Sequence, residues 1–362
     1  MKKNLIIALL VLAFNVSHAQ DKLKTENVFL ISLDGLRWQE VFTGMDSTLM
    51  MTKEYTHAQD EIKERFWDED PLVRRKKLMP FFWSTIVNEG KIIGNRKYGN
   101  NANLTNTYWF SYPGYNELLT GHADPKVDSN DKKNNKNVTV LEYVNQQTEF
   151  NGKVAAFGSW DVFPYIINEE RSGIPVNAGF EPAKGNDLTE REQFLNELQG
   201  QIPSPWGGVR LDAFTHHYAL EHIKKENPKL VYIAYGETDD FAHDGRYDFY
   251  AKSAHQTDAF IKELWDYVQS HEQYRDKTTF IIATDHGRGT VPLETWKHHG
   301  DNIEGADEVW FAVIGPDTKA AGELKTKGIY YQNQIAKTVA HLLGLDFEPE
   351  KKAGAAMTVL YK

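Results

Sequence analysis

Three aspartates and four histidines fall in short polar segments where a chain could turn and gather them. Asp34 follows the run NVFLISL (Asn27–Leu33) and precedes Gly35. Asp239 and His243 stand four apart in GETDDFAHDG, Asp285 and His286 are adjacent in TDHGRG, and His298 and His299 adjoin in WKHHGDN. Carboxylates and imidazoles that converge make a metal site, and mixed N/O donors without sulfur suit zinc, with manganese and magnesium as alternatives. Each piece alone has an ordinary structural use. Asp34-Gly35 can be a turn, Asp239 and His243 an exposed i,i+4 pair, His286 a structural hydrogen-bonding residue, and His298-His299 plain surface. Ser111, in FSYPGYNELLTG, precedes a Pro-Gly step and a helix-like stretch closing at Thr120-Gly121. A serine there is commonly a helix cap. Beside a metal the same hydroxyl loses its proton more easily and becomes a nucleophile.

The elements that must position these residues are legible as alternating types. The runs 27–33, 230–235 (LVYIAY) and 279–284 (TFIIAT) are short, continuously apolar and each followed by polar residues. That is the pattern of parallel strands buried on both faces. Helical spacing of apolar residues fills 79–89, 250–270 and 332–345, the first with Pro80 near its start and Gly90 after its end. Alternation of this kind predicts a doubly wound α/β/α sandwich with a mostly parallel central sheet. In such sheets ligands bind outside the carboxyl ends of the strands, where Asp34, Asp239 and Asp285 fall. Residues 128–137 (DSNDKKNNKN) read as a solvated loop, and no repeat or linker divides the chain. One domain with insertions, over 24–362, is expected.

Composition narrows the function. The chain has 362 residues, 41% hydrophobic and 25% charged, enough to bury a large core. Its net charge of −10 disfavours nucleic acid and anionic membranes as main partners. A small anionic substrate stays open, because bound cations can reverse a local field. The absence of cysteine excludes disulfides, thiolate metal sites and cysteine nucleophiles. Residues 1–19 have the form of a secretory signal: Lys2 and Lys3, an apolar stretch too short to span a bilayer, and the cleavage pattern Ser17-His18-Ala19. The expectation is a periplasmic or secreted protein with no stable membrane association after cleavage.

Taken together and in order, LDGLR, MPFFWSTIVNEGKIIGN, SYPGYNELLTG, the D-x-x-x-H of Asp239 and His243, TDHG and HHGDN resemble the alkaline phosphatase superfamily. The likeness is strongest to its nucleotide pyrophosphatase/phosphodiesterase branch. It implies two divalent metal ions, with Asp239, His243 and His299 holding one and Asp34, Asp285, His286 and the Ser111 oxygen the other. His299 is preferred to His298 because the family's last ligand precedes glycine. The implied reaction is hydrolysis of a small-molecule phosphate ester, diester or monoester, through a phosphoserine at Ser111. Four features bear on substrate. Many diesterases of the family have Thr where this chain has Ser111. Tyr115 replaces the His often found four residues after the nucleophile. Asn130 matches an Asn that binds a phosphoryl oxygen in the diesterases, across a loop of different length, and the Lys/Arg pair of some monoesterases has no counterpart.

The nearest rival is a sulfatase, whose signature also ends in LLTG. Those enzymes mature a Cys or Ser to formylglycine under a motif with Arg where Tyr115 stands, and they favour carboxylate and amide ligands over histidines. A cofactor-independent phosphoglycerate mutase is a further relative, with little use outside the cell. A non-catalytic binding module on the same fold would show eroded ligands, and none is missing. A carbohydrate-binding surface, suggested by nine Trp and seventeen Tyr, competes with the usual place of aromatics in cores.

Overall fold

In a computed structural model, which describes residues 23–361, the chain builds one large sheet clothed by helices on both faces. The expected signal, residues 1–19, lies outside the described residues. Among the described residues eleven strands occur in chain order: β1 Asn27–Leu33, β2 Lys91–Ile93, β3 Asn100–Asn103, β4 Val154–Gly158, β5 Val176–Ala178, β6 Leu230–Tyr235, β7 Thr278–Ala283, β8 Glu308–Val309, β9 Phe311–Ile314, β10 Gly322–Glu323 and β11 Gly328–Tyr331. Eight of them form the main sheet in the order β10-β2-β9-β7-β1-β6-β4-β5. Strands β7, β1, β6, β4 and β5 pair in parallel, and β9 runs against both its neighbours. Strands β11, β3 and β8 make a small second sheet.

Strand β1 sits in the middle, paired with β6 on one side and β7 on the other. All seven of its residues are buried, which is why its sequence is continuously apolar rather than alternating. Its pleat sends Phe29, Ile31 and Leu33 into one core and Val28 and Leu30 into another. The first core packs under the helices Pro71–Leu78, Asp212–Glu226 and Tyr247–Ser270. The second packs under Ser111–Thr120, Val140–Asn145 and Ile335–Leu342. Two cores flanking one mostly parallel sheet are the predicted three-layer sandwich. The expected helix at 79–89 is present and contains one π-helical turn at Phe82–Ile86. Among the described residues no helix is long and apolar enough to cross a membrane.

The parallel strands β1, β6 and β7 end side by side, with Leu33 in register with Tyr235 and Ser32 with Ala283. Whatever follows those three strands is delivered to one place.

Candidate active site

Each polar segment arrives by a different device. Asp34 leaves β1 into a turn at Gly35, whose φ is +57°. A β-carbon there would come within 2.7 Å of Arg288 and 2.9 Å of Asp239, so both backbone sign and space require glycine. Beyond β6 the helix Glu237–His243 carries Asp239 and His243 on one face, and the Thr238 hydroxyl donates to the Asp34 carbonyl at 2.5 Å. Beyond β7 come Thr284, Asp285 and His286, all fully buried. His299 follows a loop anchored by Trp296, which is buried among Tyr55, Tyr247 and Tyr250.

Ser111 opens a helix of ten residues, Ser111–Thr120, every one buried. Gly114 lets this helix press on the end of β7, since a β-carbon there would meet the Asp285 carbonyl oxygen at 2.5 Å. Buried Glu117 reaches back to accept the Thr105 and Asn106 amides at 2.8 Å, tying down the loop that leads to the serine. Trp109, two residues before Ser111, is held at φ +53°, a costly conformation for a bulky residue. The Asn106 carboxamide oxygen secures it by accepting the Trp109 amide at 3.0 Å.

The predicted residues meet around one atom, His286 Nε2. Its ring is oriented by Nδ1–H donating to the Gly287 carbonyl at 2.8 Å. Nε2 then lies 3.2 Å from Asp34 Oδ1, 3.3 Å from Ser111 Oγ, 3.5 Å from Asp285 Oδ2 and 3.8 Å from Asp239 Oδ1. On the far side of Asp239, His243 Nε2 and His299 Nε2 face each other at 3.0 Å and stand 3.1 and 3.6 Å from its two oxygens. The His286 and His299 rings stack at 4.0 Å. His299 turns inward, whereas His298 is exposed. His286 therefore belongs to both clusters, where the resemblance assigned it to one.

These residues fit divalent cations. Asp34, Asp285 and His286 form one group of converging ligand atoms, and Asp239, His286 and His299 another. Asp34 Oδ1 and Asp285 Oδ2 are buried and accept no well-formed hydrogen bond, with only the His286 ring nitrogen within 3.5 Å to offset their charge, an arrangement that a bound cation would relieve. Tetrahedral zinc bonds of about 2.0–2.1 Å place neighbouring donors roughly 3.4 Å apart, close to the separations seen here. Asp34 has only one oxygen to give, because Tyr115, fully buried, donates its hydroxyl to Oδ2 at 2.8 Å.

The electrostatics are those of a ligand set awaiting positive charge. Burial first, then neighbouring carboxylates, raises Asp34 and Asp285 above the ordinary carboxylate range. Burial alone would depress His286, but Asp285, Asp34 and Asp239 outweigh it and lift it to about 9. Burial would also raise Asp239, yet Arg288, and after it His243 and His299, draw it well below its usual value. Burial, followed by His286, lowers His299, which keeps it neutral.

Sequence reasoning passed over Arg288, Trp109 and Glu117. In TDHGRG an arginine reads as a solvated loop charge, and only burial sets Arg288 apart. Asn130 is exposed, with Oδ1 accepting the Tyr112 amide at 3.0 Å, so it sits at the first turn of the Ser111 helix.

Comparison with known proteins adds family and fold. The family model described as Sulfatase matches residues 108–345. Among curated proteins no sequence matches. Wild-type alkaline phosphatase PafA superposes with a TM-score of 0.61 at 10% identity, over 94% of this chain and 99% of that one. The phosphonate monoester hydrolase SpPMH from Silicibacter pomeroyi gives 0.57 at 12%, over 93% and 76%. Ps i-CgsB in complex with k-i-k-neocarrahexaose gives 0.54 at 16%, over 90% and 73%. At these identities the likeness is one of fold.

Proposed function

The chain belongs to the sulfatase family, and from that premise we propose that it is a periplasmic or secreted hydrolase of phosphate esters. On this reading it uses two divalent ions, zinc first, and stands nearest the nucleotide pyrophosphatase/phosphodiesterase branch of the alkaline phosphatase superfamily. One observation carries it. Two donor clusters share His286, whose Nε2 stands 3.3 Å from Ser111 Oγ, with buried oxygens on Asp34 and Asp285 that accept no well-formed hydrogen bond.

Asp239, His243 and His299 would hold one ion, and Asp34, Asp285, His286 and Ser111 Oγ the other. When bound, the ions would lower the pKa of the serine hydroxyl and offset charge on the phosphoryl oxygens. The remaining work falls to the chain. Tyr115 turns Asp34 so that Oδ1 faces His286. The helix beginning at Ser111 places the positive end of its dipole at the serine, although the Tyr112 amide is already held by Asn130 Oδ1 and Pro113 has no N–H to give. Ser111 Oγ attacks phosphorus, the Oγ–P bond forms, and the bond to the leaving oxygen breaks as that oxygen takes a proton. Water then attacks the phosphoserine, the Oγ–P bond breaks, and Ser111 recovers its proton. Fixed donors and positioned charge do most of the work in such displacements.

Hydrolysis of sulfate esters is the second reading, favoured by the family model itself. Against it stand the absence of cysteine, Tyr115 at the place of the maturation arginine, and the histidine-rich donor set. The deciding measurement is kcat/KM for a phosphate monoester, a phosphate diester and a sulfate ester sharing one aryl leaving group, with zinc present. Both phosphate esters should outrun the sulfate, the diester leading. A faster sulfate would overturn the phosphoryl assignment.

A further inference from the structure

The structure assigns Arg288 as the positioning residue of the Asp239–His243–His299 cluster, joining the helix that carries two of its ligands to the loop that carries the third. This inference rests on the two-metal reading above. Arg288 is 1% exposed, and its guanidinium is used on several sides. Nη1 donates to Asp239 Oδ1, Nε donates to the Trp296 carbonyl at 2.8 Å, and Nη2 donates to the Lys297 carbonyl. His243 Nδ1 lies 3.5 Å from Nη2. Trp296 and Lys297 immediately precede His298 and His299, and the Gly289 amide donates to the His298 carbonyl at 3.0 Å. Arg288 and its neighbour thus clamp the backbone from 296 to 298, and His299 follows where that backbone points.

The choice of arginine follows from geometry. A planar fork with five N–H donors can serve a carboxylate and two carbonyls at fixed angles, and it keeps its charge when buried. Lysine could keep the ion pair with Asp239 but could not hold both carbonyls. Arg288 is not a substrate contact, because its side chain is enclosed. Its effect on chemistry passes through the ligands, as outer partners of metal sites generally act. Arg288 reaches the other cluster only indirectly, through Asp239 Oδ1 and its 3.8 Å approach to His286 Nε2, so that cluster should respond much less.

The test is zinc binding by the full chain, measured by chelator competition and elemental analysis, for wild type, Arg288→Lys and Arg288→Met. Wild type should bind two equivalents. In both variants one equivalent should weaken by about 10- to 100-fold while the other stays within a factor of three. The weakened equivalent should be the one that His299→Ala removes. Far-ultraviolet circular dichroism confirms folding, and Arg288→Lys keeps the test open should the methionine variant fail to fold. Two equivalents bound as in wild type by the folded variants would overturn the assignment, as would equal weakening of both. Wild type binding no zinc, manganese or magnesium would instead overturn the two-metal reading on which it rests.

Discussion

The loading of the site should depend on pH over an unusual range, because the metal must displace a proton that the protein holds tightly. His286 titrates at about 9 in the metal-free protein, against 6.5 for an ordinary histidine. A cation can use Nε2 only when that nitrogen is neutral, so below pH 9 each loading event expels the proton. At pH 7 the separation is about two pH units, worth about 2.7 kcal/mol or roughly a hundredfold in apparent affinity. Zinc affinity should therefore rise about tenfold per pH unit between 7 and 9 and then level off, where an ordinary histidine would have levelled off near 6.5. Any proton on Asp34 or Asp285 adds to the release, so about one proton is the floor. Stability runs the other way. A pKa raised on folding stabilises the metal-free fold fully below 6.5 and loses that contribution as pH climbs through about 9. The raised carboxylates act in the same direction, so the apo melting temperature should fall from pH 7 to 9 while the loaded protein resists. Calorimetric titration with chelator-buffered zinc, in two buffers of different ionisation enthalpy, counts the protons. No release at pH 7.5 together with flat affinity from pH 7 to 8.5 would refute the argument.

Three further outcomes are expected. Ser111→Ala should lose at least about 10³-fold in kcat with its melting temperature nearly unchanged; a near-normal rate would leave Ser111 a structural residue. His299→Ala should cost activity and one metal equivalent, while His298→Ala changes neither, as steady-state rates and elemental analysis can read; equal effects would mean the inward ring is not the ligand. Tyr115→Phe removes the hydroxyl on Asp34 Oδ2 and should weaken one metal equivalent by about 10- to 100-fold, visible in chelator competition; unchanged binding would show that Asp34 needs no such partner.

The sequence exposed what had to be strongly patterned. Strands β1 and β6 are buried on both faces, so their apolar runs stop where the strands stop, and the Asp after β1 marks the sheet edge. Three strands of the main sheet, β1, β6 and β7, are legible in the sequence, and the strands flanking them are not. Strands β2 and β10 are three and two residues long, too short for any period to register. Strand β3, with the sequence NNAN, pairs through its backbone and shows no side-chain signature. The site divides along the same line. Residue type and order identified Asp34, Asp239, Asp285 and the histidines as a set, because carboxylates and imidazoles at strand ends have few other reasons to recur. What positions them was hidden, since it depends on burial. Glu117 and Arg288 would read as surface charges, and only the fold shows each enclosed and fully engaged.

An acidic chain can still act on an anion, and the placement of its cations bears on which anion. Three buried carboxylates and one guanidinium would become a net positive pocket once two divalent ions replace the proton on His286. The ions, rather than lysines or arginines of the chain, would then meet the substrate. Two of the chain's own cations are already engaged. Arg288 is buried against Asp239, and Lys132, two residues from Asn130, pairs with Asp161 at 2.6 Å. A phosphate monoester brings a second negative charge whose oxygen calls for a further donor, and either cation would have to give up its present partner to supply it. A diester presents a single charge and an esterified oxygen that asks for none. Lys132 is half exposed, so its ion pair is weak and could be traded for a substrate oxygen at modest cost. Lys132→Ala distinguishes the cases by kcat/KM. If the pair with Asp161 persists during turnover, monoester and diester rates should both stay within about threefold of wild type. A selective loss of the monoester rate would show that Lys132 does reach the phosphoryl group, and would remove this ground for preferring the diester.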